Sequence, residues 1–194
     1  MQPMKHIYTS IALLGIVTAL GGVTPAVQAL PTQMLIVQRT AQELFSQGLE
    51  KYKAGNFKGA IADFTQAIRL SPNIAELYIA RGNAYYDQGD KQTALKDYNQ
   101  GLRINPNYAA AYVERGNARD DLGDRKGAIE DYDKAIQLNA DLHEAYDNRA
   151  VTHVRMGNKE AAIADWQKAA QLYQQQNKTE RYQAALDKIK QLQQ

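Results

Sequence analysis

Two rows of charge share one 34-residue period along this chain: Arg81, Arg115 and Arg149 in one, and Asp63, Asp97, Asp131 and Asp165 in the other. Two chemistries suit such rows. They can neutralise one another as structural ion pairs, or the arginines can form a basic strip that grips a carboxylate or phosphate. Each Arg stands at a fixed offset of 18 after an Asp (63 to 81, 97 to 115, 131 to 149). The expectation is three partly buried Arg–Asp pairs, each joining one structural unit to the next. Buried charge is tolerated chiefly when paired, and the guanidinium fork meets a carboxylate with two parallel bonds.

Reactive groups do not assemble into a catalytic set. His143 and His153 are ten residues apart, too far for a zinc-binding pair on one helix, and His6 stands alone. Ser46 and Ser71 have no base beside them. Asp120 and Asp121 are adjacent and diverge on a helix, so they do not form an acid–base couple. The glycines of Gly82-Asn83-Ala84 and Gly116-Asn117-Ala118 belong to a repeat inside helices, not to a phosphate loop. With no Cys and a net charge of +2, disulfides, thiolate metal sites and a phosphate-neutralising surface are unsupported. No enzyme activity, cofactor, metal or nucleic acid is expected.

What positions the charged rows is the repeat. Gly55, Gly89, Gly123 and Gly157 are spaced by 34, as are Ala60, Ala94, Ala128 and Ala162, and Phe64, Tyr98, Tyr132 and Trp166. Gly48, Gly82 and Gly116 align with Ala150, Tyr78, Tyr112 and Tyr146 align with Leu44, and Pro72 and Pro106 close the first two units. Within a unit, apolar residues recur at helical steps on both sides of a central Gly, predicting two helices joined by a left-handed turn. Asn56, Asp90, Asp124 and Asn158 follow those glycines as N-caps, and Asn73, Asn107 and Asp141 are expected to cap the first helices of later units. The small column facing the alanines is expected to let two helix backbones approach. The class is all-α.

These columns resemble the tetratricopeptide repeat (TPR) family, over about four fifths of the chain beyond residue 29,. The resemblance implies a right-handed superhelical α-solenoid of four helix pairs, at 41–74, 75–108, 109–142 and 143–176. Residues 30–40 form an N-terminal extension; Met34-Leu35-Ile36-Val37 either covers the first unit or lengthens its first helix. Residues 177–194 form a C-terminal capping helix, opened by an Asn177/Glu180 capping box and striped with Tyr182, Leu186, Ile189 and Leu192.

The resemblance also implies a concave groove lined by the first helix of each unit. Carried onto this chain, the partner-binding positions are Tyr52, Ile79, Asn83 and Tyr86, then Val113, Glu114, Asn117 and Asp120, and finally Asn148 and Arg155; Phe45, Leu49, Asp121 and Val151 belong to the same face. Asparagine amides suit the backbone of an extended segment, and tyrosines offer rigid apolar area with a polar tip. Some TPR domains clamp acidic chaperone tails with Lys, Arg and Asn. Here Asn83 fits that clamp, but Ile79, Glu114, Glu144 and Asn148 stand where Lys, Asn, Lys and Arg are expected. The implied ligand is a protein or peptide segment, neutral or basic rather than acidic.

Residues 1–29 read as a secretory signal peptide. Lys5 precedes 17 uncharged residues, Ile7 to Val23, and Val27-Gln28-Ala29 ends in a small-residue cleavage site,. Retention as a membrane anchor is the alternative, and it is the only membrane contact expected. Export without Cys suits a periplasm, a thylakoid lumen or the medium. The functional expectation is therefore a non-catalytic, exported interaction module. A narrower alternative is an assembly factor for an envelope or photosynthetic complex, since Arg-Gly-Asn-Ala repeats resemble those of exported bacterial TPR proteins. An enzyme acting on cell-wall or small-molecule substrates is a further alternative.

Overall fold

A computed structural model describes the backbone from Thr32 and the side chains from Thr40. The expected signal peptide, residues 1–29, lies outside the described residues. Within them the chain is helical throughout: α1 (Thr32–Lys53), α2 (Phe57–Leu70), α3 (Ala75–Gln88), α4 (Lys91–Ile104), α5 (Ala109–Asp121), α6 (Arg125–Leu138), α7 (His143–Arg155), α8 (Lys159–Gln175) and α9 (Thr179–Gln193). Each helix packs on its neighbour in sequence, with the tightest packing inside the pairs α1–α2, α3–α4, α5–α6 and α7–α8. The stretch 34–37 lengthens α1.

The turns explain the glycines. Gly55, Gly89, Gly123 and Gly157 all have positive φ, between 76° and 99°, a conformation that costs Gly nothing sterically. The side chains of Asn56, Asp90 and Asp124 then accept the N–H of Gly59, Thr93 and Gly127 at 3.0 Å; Asn158 makes no such bond. The expected caps of the first helices do not form. The N-cap positions of α3, α5 and α7 are Ile74, Tyr108 and Leu142, without a side-chain bond. Instead Asn105 and Asn139 accept the backbone N–H of Asn107 and Asp141 at 3.1 Å. A side chain two residues upstream closes this turn, so the later polar residue is not required.

The capping-box expectation at Asn177 is also overturned. Asn177 itself is left-handed, with φ 56°, and the N-cap is Lys178, without a side-chain bond. Asparagine here takes the place that glycine holds inside the repeats, because its short polar side chain tolerates that region. On α9, Ala185 and Ile189 are buried while Leu186 is exposed, so the stripe turns toward Ala185.

The small column has a sharper cause than backbone approach. A Cβ on Gly48, Gly82 or Gly116 would stand 2.5, 2.7 and 2.6 Å from ring atoms of Phe64, Tyr98 and Tyr132. Those rings are fully enclosed, at 0, 0 and 1% exposure. The first helices α1, α3 and α5 therefore omit a side chain to seat the aromatic ring of the helix that follows, whereas α7 keeps Ala150 in the cluster around Trp166. One hairpin cannot enclose such a ring and its own apolar flank alone; stacking makes the interior continuous.

Candidate functional site: the face of the first helices

The charged rows pair in a register other than the expected one. Arg81, Arg115 and Arg149 bind Asp97, Asp131 and Asp165, on the second helix of the same unit, through Nε and Nη2 at 2.6–2.9 Å. The predicted pairs Asp63–Arg81, Asp97–Arg115 and Asp131–Arg149 do not form. In a hairpin the mid-second-helix Asp lies directly across from its own first helix, which decides the matter. The link between units survives by another route: Nη1 reaches back to Thr65 at 3.1 Å, to Asn99 at 2.8 Å and to Asp133. Each guanidinium also lies over the ring of Tyr78, Tyr112 or Tyr146, at 5.3–5.8 Å,. Asp63 has Gln47 where the later units place Arg and is met by Lys51 at 2.6 Å. With their donors engaged in this way, the arginines are not an open anion strip.

A second ladder crosses the units at the C-terminal ends of the first helices. Tyr52 donates to Asp87, and Tyr86 donates to Asp121 at 2.6 Å. Arg155 pairs with Asp120 and lies 3.7 Å from Asp121, which also meets Lys91 at 2.8 Å. Burial raises the Tyr86 hydroxyl pKa, reinforced by the Asp121 bond. For Asp121, partial burial pushes upward, but the bonds from Lys91 and Tyr86 outweigh it and lower its pKa. Of the residues expected to meet a partner, Tyr52 and Tyr86 are thus engaged by Asp87 and Asp121, and Asp120 and Arg155 by one another. Asp87 was missed, although the columns 52-86-120 and 87-121-155 both keep the 34-residue period and their offset of 35 was legible.

Phe45, expected on the same face, is buried against Phe64 in the core, and two further expectations are corrected by burial. Ile79 and Val113 are 2 and 4% exposed and belong to the core packed around Tyr98 and Tyr132. They sit inward because the helix face that carries them rests on the second helix of the unit, where Ile79 fills the space above Gly101.

The polar centre of the face lies between these ladders. Tyr98 donates to Asn83 at 2.8 Å, Tyr132 to Asn117 at 2.9 Å, and the Asn148 amide to Asn117 at 2.8 Å. Asn83 is buried, whereas Asn117 and Asn148 are half-buried. Beside them on α5, Glu114 is buried and its Oε2 has no hydrogen-bond partner. Its pKa is pushed up to about 8, by burial first and then by the charges of Asp87 and Glu144, with Asn117 pulling the other way. Burial, with Glu76 and Glu114 nearby, likewise pushes the Tyr108 hydroxyl up to about 12. Among the described residues no group of His, Asp or Glu is placed to hold a metal ion, and no helix is long and apolar enough to cross a membrane.

At the C-terminal end, Asp147 accepts from Trp166 Nε1 at 2.8 Å and from Lys188 at 2.7 Å, tying α9 to α7 and α8. His143 is buried against Tyr173, with ring centroids 4.6 Å apart, and its Nε2 contacts Lys178.

Family models described as tetratricopeptide repeat match residues 45–109 and 144–175, and one described as TPR repeat matches residues 116–157. No curated protein matches the chain. Among solved structures, MamA superposes with a TM-score of 0.67 at 24% identity, covering 76% of this chain and 86% of that one. The first TPR of Spaghetti (RPAP3), bound to the HSP90 peptide SRMEEVD, gives 0.60 at 26% identity, covering 62% and 95%. The Arabidopsis OM64 TPR domain gives 0.60 at 24% identity, covering 61% and 98%. Helix order, glycine turns, ring-seating columns and these likenesses agree: the chain belongs to the tetratricopeptide repeat family and folds as its stacked helix-pair solenoid.

Proposed function

We propose that this protein is a non-catalytic interaction module that holds a polypeptide segment along the face built by α3, α5 and α7. The observation that carries this reading is the polar centre of that face. Asn117 and Asn148, both half-buried, are joined by one hydrogen bond at mid-face, and the second N–H and the oxygen that remain to the Asn148 amide give an extended backbone a donor and an acceptor. The two ladders fix the helices around it before any partner arrives, so binding requires little reorganisation. A structural relative is bound to a peptide, SRMEEVD, which supports polypeptide as the ligand class. The acidic character of that peptide does not transfer. Glu114 and Glu144 take the clamp positions where Asn and Lys are expected, and Asp87 adds a third carboxylate nearby. A neutral or basic segment fits this field better.

The compartment belongs to the same proposal: a cleaved signal peptide would deliver the module to a periplasm or lumen, and service in assembly of an envelope or photosynthetic complex is the narrower alternative. Photocrosslinking in cells from positions 117 and 151, compared with the exposed Lys96 on α4, tests the groove. Capture of one defined protein from positions 117 and 151, but not from 96, is expected. Equal capture from both faces overturns the reading. Sequencing the mature N-terminus tests cleavage after Ala29.

A further inference from the structure

Six carboxylates are buried among the described residues: Asp63, Asp97, Glu114, Asp120, Asp131 and Asp165. Five have a cation supplied by the fold: Asp63 meets Lys51, Asp97 meets Arg81, Asp120 meets Arg155, Asp131 meets Arg115 and Asp165 meets Arg149. Glu114 has none. It is 4% exposed, no Lys, Arg or His nitrogen comes within ion-pair distance among the described residues, and Oε2 lacks even a hydrogen-bond donor. Its charged neighbours have the same sign: Asp87 on α3 and Glu144 on α7. Both flank it half-buried on the face that carries Asn117 and Asn148.

A buried carboxylate without a counter-ion weakens the fold that contains it. Retaining one where every counterpart is paired is the pattern of a functional group left incomplete until a ligand arrives. We propose that Glu114 is the seat of a Lys or Arg side chain from the bound segment, with Asp87 and Glu144 guiding the cation inward. This rests on the groove reading given above and narrows it to a segment with one obligatory basic residue. The chemistry is selective. An incoming ammonium or guanidinium supplies the missing donor and, as a cation beside the carboxyl, favours release of the proton that burial holds on Glu114,, whereas an acidic side chain would add a like charge beside Asp87 and Glu144.

The test is selection of random dodecapeptides on the full-length protein, on its Glu114→Gln variant, and on a variant with Lys96→Glu on the outer face. Wild-type protein and the Lys96→Glu variant are expected to enrich peptides with Lys or Arg at one fixed position. Glu114→Gln is expected to keep peptide binding but lose that preference. For the leading peptide, replacing its basic residue with norleucine should weaken binding to wild-type protein by roughly tenfold to a hundredfold, and to Glu114→Gln by less than about threefold. If peptides are selected without a basic position, or the same basic position persists on Glu114→Gln, the subsite is wrong while the groove reading stands. If no peptide is enriched on wild-type protein, both fall. Glu114→Asp, which retains charge but retracts it by one methylene, should keep the preference with weaker affinity; it serves as the second variant should Gln impair folding.

Discussion

Replacing Glu114 by Gln should stabilise the protein, and increasingly so as pH rises. The buried carboxyl titrates at about 8 against an ordinary 4.5, burial being the leading cause. Between those values the folded protein holds a proton that the unfolded chain has released. Folding stability therefore falls as pH rises from 4.5 toward 8, and levels off above it,. Below the lower value the two forms differ only in packing, which makes acid pH the internal reference for the variant. Relative to that reference, the full gap gives the Glu114→Gln variant an advantage of about 1 kcal/mol near pH 5, about 3 near pH 7 and about 5 near pH 9. The comparison is urea unfolding of both proteins at these three pH values, followed by far-UV circular dichroism, with equal slopes required for the midpoints to be compared. Parallel pH profiles for wild type and variant would show that Glu114 is ionised or solvated in the free protein. That result would falsify the account of the buried centre.

The arginine register makes an independent prediction. In double-mutant cycles, Arg115→Leu should couple to Asp131→Asn by about 1–3 kcal/mol and to Asp97→Asn by less than about 0.5; the reverse order would restore the inter-unit pairing read from spacing. Gly82→Ala should cost about 1–3 kcal/mol by driving a methyl into the Tyr98 ring,, whereas Ala150→Gly should cost no more than about 1 kcal/mol; thermal melting compares them. His143 has its pKa lowered below 6.5, mainly by burial, with Lys178 and Arg181 adding to the effect while Glu144 and Asp147 oppose it. Below 6.5 the unfolded chain takes up the proton first, so stability should fall on acidification,. Protection factors of the α9 amides, which remove the intrinsic slowing of exchange at lower pH, should fall between pH 7 and pH 5, and His143→Gln should flatten that response.

The order and type of the helices were legible because each signal is local. A glycine once per repeat marks a left-handed turn, an Asn or Asp after it marks a cap, and apolar steps of three and four mark each helix; no distant residue is needed to read them. Asn177 shows the limit of such reading. A capping box and a left-handed turn use the same residue type, and the path of α9 onto α8 selects the second.

The charged rows show why pairing was not legible. Because both rows share one period, every Arg that follows one Asp by a fixed offset also precedes another by a nearly equal one, so the spacing alone allows both partners. Antiparallel packing within the hairpin brings the second within reach of Nε and Nη2 and leaves Nη1 for the preceding unit. The groove residues divide for the same reason. The repeat places Tyr52, Ile79, Glu114 and Asp120 on first helices, but only the superhelical stacking of one hairpin on the next buries Ile79, links Tyr52 and Asp120 to neighbouring units, and encloses Glu114 without a cation. Sequence periodicity determines what each helix carries and where it turns. The angle at which hairpins stack determines which of those side chains meet, because contacts between whole helices distant in sequence exist only once the chain has folded back upon itself.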